Sequence, residues 1–410
     1  MSQKISQCRL CKSTDIVSLL DLGDQCFTGI FPKSEHDKVP SGRLELAKCN
    51  QCDLVQLAHS FDPSLLYGHN YGYRSGLNGS MVRHLNSIVQ DIVKRVDLDR
   101  GDLIIDIGSN DSTTLRAYPD RGLDFLGIDP TGVKFKNYYP SDVRLVPEFF
   151  SADAVRSAVG PKKAKVVTSI AMFYDLEAPG EFMKEVAAVL AKDGVWVFEQ
   201  SYLDSMLRTN SYDTICHEHL EYYGLKQIHR MAAEAGLKIL DVAFNDANGG
   251  SFRVTVSHQD SPHPENTALV QSILEKEDKE GLYSLRTYER FAAKVTEHKK
   301  TVRRFFEQAK AERARVLGYG ASTKGNVLLQ YCGVTARDLA CIAEVNEDKF
   351  GSFTPGTLIP IVPETAAHLM KPDYFFVLPW HFRAGILQRE TPFREAGGKF
   401  VFPLPELEIV

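Results

Sequence analysis

The stretch DLIIDIGSND, residues 102–111, decides the fold class. It is a short apolar run that ends in an aspartate and a glycine, which is typical of a buried strand that enters a tight turn. A second run of this kind is LDFLGIDPT (123–131), and two more follow at 163–176 and 194–203. Helical patterns separate the runs, as in GEFMKEVAAVLAKDG (180–194). Strands that alternate with helices predict an α/β fold with a parallel, doubly wound sheet.

The turn after the first strand is a candidate nucleotide site, because ligands of open α/β sheets bind outside the carboxyl ends of the strands. Gly108 allows a ligand to approach the backbone closely, and Asp106 and Asn110 flank it. Asp129, at the end of the next strand, can hold two ribose hydroxyls. No Gly-x-Gly-x-x-Gly fingerprint is present here, so a pyrophosphate cradle is not supported. The pattern favours an adenosine with a small charged tail, and the alternative is a tight turn without a ligand.

A second α/β pattern follows a long, charged helical stretch at 268–313. It begins with ARVLGYGASTKGNVLLQY (314–331), whose glycine-rich turn contains Gly320, Ser322 and Lys324. A helix N-terminus with hydroxyl and lysine side chains suits phosphate oxygens. The third glycine comes two residues later than in the dinucleotide fingerprint, so glycines that serve only strand–helix packing are the alternative.

The composition is that of an ordinary globular protein: 410 residues, 43% hydrophobic, 25% charged, with a net charge of −5. No basic stripe stands out, which argues against general nucleic-acid binding. No window approaches the roughly 18 apolar residues that a membrane span needs. The N-terminal residues lack the apolar core of a secretory signal, so we expect a cytoplasmic protein.

Four of the eight cysteines form two Cys-x-x-Cys pairs, Cys8 with Cys11 and Cys49 with Cys52. Each pair lets two thiolates approach one ion, and two pairs complete a tetrahedral shell of four sulfurs. Such a shell leaves no open coordination position. The pairs therefore predict a structural zinc ion, with four free buried cysteines as the alternative.

The segment YDTICHEHLEYYG (212–224) allows three interpretations. His217 and His219, with Glu221, could bind a metal, although the spacing is not the His-Glu-x-x-His of helical zinc proteases. A histidine oriented by Glu218 could act as a general base near neutral pH. A polar turn with satisfied side chains is the third interpretation.

Several further motifs accompany these: the chain contains FEQSYL ahead of YDTICHEHLEYY, then NGGSFRV, GYGASTKGN, TPGTLIPIVPE and GGKFVFPLP. Together with the cysteine pairs and with DIGSND and GIDPT, this set resembles the S-adenosylmethionine-dependent sugar C-methyltransferases of deoxysugar biosynthesis. The resemblance covers nearly the whole chain and implies three domains. They would be a zinc-binding domain at 1–70, a class I methyltransferase domain with a Rossmann-like doubly wound sheet at 71–265, and a helical linker with a second Rossmann-like domain at 266–410.

The resemblance also implies a reaction. Members of the family act on nucleotide-linked 4-keto-6-deoxyhexoses and move the methyl group of S-adenosylmethionine to C3 through a base-generated enolate. His219 would be the base, and Glu218 would contact a sugar hydroxyl. Tyr71 or Tyr73 would complete the pocket.

The expected partner is a nucleotide-linked 4-keto sugar that carries thymidine or guanosine diphosphate. Its further contacts would be His217, Tyr222, Gly320, Ser322 and Lys324. We expect no nucleic-acid or membrane partner, and a monomer or a loose dimer. Two rival functions stay open: an NAD-dependent sugar oxidoreductase that uses the C-terminal glycine turn, and an inactive zinc-bearing scaffold.

Overall fold

The structure, a computed structural model, describes residues 3–67 and 71–410. Its N-terminal part is antiparallel and ends in one short helix. The elements are β1 (Gln3–Lys4), β2 (Ile16–Cys26), β3 (Ser41–Cys49), β4 (Val55–Leu57), β5 (His59–Ser60) and α1 (Pro63–Leu66).

The central part is built on a seven-stranded sheet. Its elements are α2 (Gly79–Arg95), β6 (Leu103–Ile107), β7 (Asp124–Ile128), α3 (Gly132–Phe135), β8 (Val143–Val146), α4 (Ala152–Val159), β9 (Ala164–Ile170), α5 (Pro179–Val189), β10 (Leu190–Ser201), α6 (Leu203–Arg208), β11 (Glu221–Tyr222), α7 (Leu225–Glu234), β12 (Leu237–Asn245) and β13 (Ser251–His258).

The strand order of this sheet is β12-β13-β10-β9-β6-β7-β8. The run from β10 to β8 is parallel, as the alternation of strands and helices predicts, whereas β13 is antiparallel to both of its neighbours. The reversal arises because β12 and β13 are joined by a tight turn without a crossover helix. Parallel order places the carboxyl ends of β6, β7, β9 and β10 at one edge, where open α/β sheets bind their ligands.

Two helices, α8 (Thr267–Lys279) and α9 (Leu285–Ala311), lead to the C-terminal part. Its elements are β14 (Val316–Tyr319), α10 (Thr323–Cys332), β15 (Ile342–Glu344), β16 (Ile361–Pro363), α11 (Glu364–Leu369), β17 (Tyr374–Val377), α12 (Arg383–Arg389), α13 (Thr391–Glu395), β18 (Lys399–Phe402) and β19 (Glu408–Ile409). The strand order is β16-β15-β14-β17-β18-β19, and all pairs are parallel except β18 with β19. This is the second Rossmann-like sheet that the family resemblance implies.

The short apolar runs form strands, as their sequence pattern predicts. All five residues of β6 are buried, as expected for the middle of a sheet covered on both faces. Helix α2 instead buries one stripe, Met81, Leu85, Ile88 and Ile92, at helical spacing. None of the helices in the described part of the chain combines the length and the apolarity that a membrane crossing requires.

The central and N-terminal parts are joined through a strand pair. Strand β11 pairs with β4 of the N-terminal sheet and not with the seven-stranded sheet, in the register Glu221 with Gln56 and Tyr222 with Val55. The chain that carries CHEHLEYY therefore leaves the central sheet and is held by the N-terminal sheet. The domain boundaries near 70 and 265 stay a prediction, and residue 70 itself lies outside the described residues.

Candidate active site

The four predicted zinc ligands converge. The sulfur atoms of Cys8, Cys11, Cys49 and Cys52 all lie within 4.8 Å of one another. The Sγ atoms of Cys8 and Cys52 are 3.6 Å apart, and those of Cys11 and Cys49 are 3.5 Å apart. A tetrahedral zinc–thiolate site with bonds of about 2.3 Å spaces its sulfurs by about 3.8 Å, so the four cysteines fit a closed, structural zinc ion.

Replacing Cys49 with serine should release the zinc and lower the midpoint of thermal unfolding, because binding of a structural metal is coupled to folding. Cys49 is fully buried in the same core as the central sheet, so the loss should be felt beyond the N-terminal part. Elemental analysis and calorimetry measure the two effects. Cys26, which lies outside the cluster, is the control for loss of a thiol, and its serine variant should keep the metal.

The first glycine turn has the geometry of a cofactor-binding loop. Gly108 follows β6 with φ +73°, and its N–H donates to the carbonyl of Ile128 at the end of β7, at 2.8 Å. A Cβ atom at Gly108 would lie 3.2 Å from Cγ of Met172, so a side chain here would crowd the turn.

Asp129 faces this turn from the end of β7. Its Oδ2 accepts a hydrogen bond from the Asn110 N–H at 2.7 Å, and its Oδ1 accepts from the N–H and the hydroxyl of Thr131, both at 2.6 Å. Burial raises its pKa above the ordinary aspartate value, against these hydrogen bonds, which lower it. A carboxylate has about four lone-pair positions, so Oδ2 keeps capacity for a ribose hydroxyl.

Asp106 lies beneath the turn. Its Oδ1 accepts from the Thr168 hydroxyl at 2.5 Å, and burial raises its pKa to about 7. It therefore braces β6 against β9, and we propose support of the turn as its role in cofactor binding. A turn glycine with close backbone access and a facing carboxylate fits the adenosine end of S-adenosylmethionine.

Asn110 links the cofactor turn to the tyrosine loop. Its Oδ1 accepts from the Ser75 N–H at 2.9 Å, and its Nδ2 donates to the Tyr73 carbonyl at 3.2 Å. Lys134 donates to the Tyr71 carbonyl at 2.8 Å. Tyr71 is half-buried with a pKa well above the ordinary tyrosine value because of burial and then Asp175, whereas Tyr73 is exposed. The structure thus brings both predicted tyrosines to the cofactor turn, with Tyr71 on the inner side.

The three residues His217, Glu218 and His219 point into three different environments. His217 is fully buried against the rings of Phe27 and Phe61, and its Nε2–H donates to the Gly42 carbonyl at 3.1 Å. Such packing within the N-terminal part does not suit direct contact with a substrate. We therefore propose that His217 anchors the segment, which changes the role expected from the family resemblance.

Glu218 also contacts the N-terminal part, but at Thr28 and not at the site where His217 packs. Its Oε2 accepts a hydrogen bond from the Thr28 hydroxyl at 3.3 Å, and burial raises its pKa above the ordinary glutamate value. Tyr222, the other predicted contact, is buried, and its hydroxyl donates to the His219 carbonyl at 3.1 Å. Tyr222 therefore braces the segment, and Glu218 is the better placed of the two to meet a polar substrate group.

His219 is held as a neutral imidazole. Its Nδ1 lies 2.9 Å from the Thr214 carbonyl oxygen, which can only accept, so Nδ1 carries the proton and Nε2 carries a lone pair. Burial, and then the charge of Lys324, lower its pKa to about 3. Its ring packs on that of Tyr174, with centroids 4.3 Å apart. No group in the described part of the chain hydrogen-bonds to Nε2, which leaves that atom available as a base.

The two histidines do not form a metal site. His217 donates towards Gly42 of the N-terminal sheet, while His219 donates towards Thr214 within its own segment. In the described ranges, the cysteine cluster is the one group of three or more His, Cys, Asp or Glu side chains that lie close enough together to share an ion.

The second glycine turn reaches the same site from the C-terminal part. Gly320 has φ +77°, and a Cβ atom there would lie 2.6 Å from Cγ of Pro379, so this glycine is needed for close packing. The Ser322 hydroxyl caps α10 by accepting from the Gly325 N–H at 3.0 Å. Lys324 donates to the Asn248 carbonyl at 3.1 Å.

Lys324 is half-buried, and its ammonium group is held at the Asn248 carbonyl. Burial lowers its pKa, and the nearby Asp213 and Cys216 oppose that shift. Its charge in turn lowers the pKa of His219 and of His381. Helix α10, which carries Lys324, packs against the turn at 212–214 that precedes His219, so Lys324 lies close to the His219 segment.

Three residues that the sequence interpretation did not name belong to this site: Tyr174, Asp175 and Thr28. Tyr174 packs on His219, and the pKa of the half-buried Asp175 is well above its ordinary range because of desolvation, with Glu218 as a further cause. Tyr174 and Asp175 follow β9, whose carboxyl end lies at the same edge as Gly108. Their position directly after a predicted strand could have marked them as site residues, whereas nothing in the sequence around Thr28 does so.

A glycine turn and a facing aspartate at the carboxyl edge of this seven-stranded sheet form a nucleoside site, and the fold is that of a class I methyltransferase. Three family models match successive parts of the chain. A zinc binding domain matches residues 8–67, a methyltransferase domain matches 81–242, and a C-methyltransferase C-terminal domain matches 246–405.

The chain is 31% identical over 410 residues to the C-methyltransferase NovU of Streptomyces niveus, a match that covers 99% of this chain and 97% of the relative. The chain belongs to the family of S-adenosylmethionine-dependent C-methyltransferases. S-Adenosylmethionine is its methyl donor, and the cysteine cluster is its structural zinc site.

Solved structures resemble parts of the chain more distantly. An S-adenosylmethionine-dependent methyltransferase from Clostridium acetobutylicum covers 43% of this chain and 92% of its own, with 12% identity and a TM-score of 0.35. The 1,6-didemethyltoxoflavin-N1-methyltransferase of Burkholderia thailandensis covers 44% of this chain and 78% of its own, with 12% identity and a TM-score of 0.34.

Proposed function

We propose that this C-methyltransferase acts on C3 of a nucleotide-linked 4-keto-6-deoxyhexose, as a step of deoxysugar biosynthesis. The observation that carries the proposal is the neutral His219, whose Nε2 is available beside Tyr174 near the edge of the sheet where the cofactor turn lies. A carbon atom beside a ketone becomes nucleophilic when it loses a proton to form the enolate, so this reaction needs a base at this place.

The chemistry follows from the ketone. A carbonyl at C4 acidifies the C3–H bond, and His219 Nε2 takes the proton while the bonding electrons form the enolate. S-Adenosylmethionine supplies an electrophilic methyl group, to which C3 bonds as S-adenosylhomocysteine leaves. The developing enolate oxygen needs hydrogen-bond donors. Tyr71 or Tyr73 would supply one, since Asn110 and Lys134 hold that loop over the site.

Glu218 would hold the sugar. Its carboxyl group points towards Thr28 and not towards His219 Nε2. It can therefore accept a hydrogen bond from a sugar hydroxyl while His219 takes the C3 proton. A raised pKa also makes it a possible donor in its protonated form.

We assign the nucleotide end, thymidine or guanosine diphosphate, to the C-terminal glycine turn with Gly320, Ser322 and Lys324. The turn is lined by a second cation, because Lys349 donates to the Ala321 carbonyl at 2.8 Å. Two lysines beside a helix N-terminus suit a diphosphate better than a neutral ligand. We further propose three functional units, at 1–70, 71–265 and 266–410, and a cytoplasmic protein that acts as a monomer or a loose dimer.

The direct test is incubation with S-adenosylmethionine and a panel of 4-keto sugar nucleotides, followed by mass spectrometry. We expect one acceptor to gain a methyl group on carbon, with no effect of added NAD. Methylation of oxygen or nitrogen, or reduction of the sugar with NAD, would contradict the proposal. An unchanged panel in a preparation that binds S-adenosylmethionine would exclude this acceptor class.

The pH dependence of catalysis gives a second test. Because the pKa of His219 is lowered to about 3, its Nε2 stays unprotonated throughout the range in which an ordinary histidine takes up a proton. We therefore expect proton abstraction to stay on its plateau as the pH falls from 8 through 6.5, where the ordinary value of about 6.5 lies. A rate of C3 exchange that falls in step with a pKa near 6.5 would show that the base is more exposed than the structure places it.

A further inference from the structure

Arg9 occupies an unusual position between the zinc and the active site. It lies between two zinc ligands in the sequence, Cys8 and Cys11, yet its side chain is 2% exposed and extends away from them. Its Nη1 donates to the Leu57 carbonyl at 2.6 Å, and its Nη2 donates to the His59 carbonyl at 3.0 Å. The guanidinium fork reaches both carbonyls and leaves Nε for a further partner, an arrangement that the single ammonium group of a lysine does not reproduce.

The same guanidinium group leaves the N-terminal part and contacts the methyltransferase part. Its Nε donates to Oε2 of Glu177 at 3.1 Å, and Oε1 of Glu221 lies 3.8 Å away. Glu177 comes three residues after Tyr174, and Glu221 comes two residues after His219. One side chain therefore contacts both the segment that carries His219 and the segment that carries Tyr174, the ring on which His219 packs.

These contacts close a ring of hydrogen bonds. The Leu57 carbonyl accepts from Arg9, the Leu57 N–H donates to the Leu220 carbonyl at 2.8 Å, and the Leu220 N–H donates to the Tyr174 carbonyl at 2.8 Å. From Tyr174 the chain runs to Glu177, which returns to Arg9. Leu220 is adjacent to His219, so the ring of hydrogen bonds fixes the backbone beside the base. It also fixes the backbone of Tyr174, whose side chain packs on His219.

We propose that Arg9 is a positioning residue for methyl transfer, which holds the His219 segment against Tyr174 by closing this ring. Through its neighbours Cys8 and Cys11, the zinc site would then set the geometry of the base as well as stabilise the N-terminal fold. A displacement of about 1 Å at a reacting group can cost roughly a hundredfold in rate, so the ring need only hold His219 to that tolerance.

The test compares Arg9→Gln and Glu177→Gln, which break the ring at two points, with Lys48→Gln as the matched control. Lys48 is a buried cation of the same N-terminal sheet that pairs with Asp53 and makes no contact in the ring. Glu177 is 44% exposed, so its variant folds even if Arg9→Gln does not. Zinc content, thermal midpoint, the Michaelis constant for S-adenosylmethionine and the turnover number are measured for each.

For Arg9→Gln we expect turnover to fall by about ten- to a hundredfold with an unchanged Michaelis constant for the donor, and a smaller fall for Glu177→Gln. Both variants should keep the zinc, and Lys48→Gln should keep its turnover even if its thermal midpoint falls. Equal losses in Lys48→Gln and Arg9→Gln at matched stability would overturn the proposal, and so would full turnover in both ring variants.

The turnover measurement rests on the proposed function, so a second measurement avoids any substrate. In ¹⁵N-histidine spectra, the His219 resonances, assigned by their loss in His219→Asn, should show the neutral Nδ1–H tautomer in the wild-type protein. We expect this signature to weaken in Arg9→Gln and Glu177→Gln but not in Lys48→Gln. An identical His219 signature in all four proteins would overturn the positioning role, whatever the substrate turns out to be.

Discussion

Replacing His219 with asparagine is expected to lower turnover by about 10²–10⁴, the usual contribution of a general base. Asparagine can keep the hydrogen bond from this position to the Thr214 carbonyl, but it has no basic nitrogen at the place of Nε2. The variant should therefore fold and bind both S-adenosylmethionine and the acceptor. Steady-state kinetics, with calorimetry for the two ligands, separate the loss of chemistry from a loss of binding.

The neighbouring histidine is the matched control. His217→Gln keeps a donor near the Gly42 carbonyl and removes an imidazole of the same segment from an apolar setting. We expect it to lower stability and to keep turnover per folded molecule. If His217→Gln and His219→Asn lose turnover equally, the segment matters as a whole and His219 is not the base.

Replacing Asp129 with alanine should weaken binding of S-adenosylmethionine by roughly ten- to a hundredfold. The reason is that losing a charge-assisted hydrogen bond to a ribose hydroxyl costs about 1.5–3 kcal/mol. Isothermal titration calorimetry measures the affinity directly.

Asp129 also braces the turn through Asn110 and Thr131, so a control must separate the two roles. Thr131→Val removes the hydroxyl donor to Oδ1 and leaves the carboxylate in place. It should change the affinity for S-adenosylmethionine far less than Asp129→Ala. Equal losses in both variants would mean that the carboxylate acts through the shape of the turn, and an unchanged affinity in Asp129→Ala would place the adenosine elsewhere.

Much of the fold could be predicted from the sequence, because its signals are local. The apolar run that ends at Gly108 and the run that ends at Asp129 both form parallel strands, the first buried throughout and the second buried over its last three residues, and the predicted α/β class is confirmed. The antiparallel direction of β13 was not predicted. The alternation of strands and helices indicates parallel strands, but it gives no direction where two strands follow each other without a helix between them. The pairing of β11 with β4 is non-local, and no pattern within CHEHLEYY marks it.

In the site, too, the features with a local sequence signal could be predicted and those that depend on non-local contacts could not. The Cys-x-x-Cys spacing already contains the geometry of a zinc site, and the four sulfurs converge. By contrast, a sequence cannot show that His217 and His219 face different environments, because the direction of each side chain depends on the tertiary contacts of a non-helical segment. The approach of Lys324 to His219 likewise depends on how the C-terminal sheet packs against the central one. The catalytic role of His219 stays a prediction.

The most direct measurement of that role is exchange of the C3 proton of the acceptor with solvent deuterium. It is run with S-adenosylhomocysteine in place of the donor, so that proton abstraction occurs without methyl transfer. The wild-type protein should exchange C3 of a 4-keto sugar nucleotide, and His219→Asn should not exchange it at a measurable rate. Exchange at the wild-type rate in His219→Asn would contradict the assignment of the base.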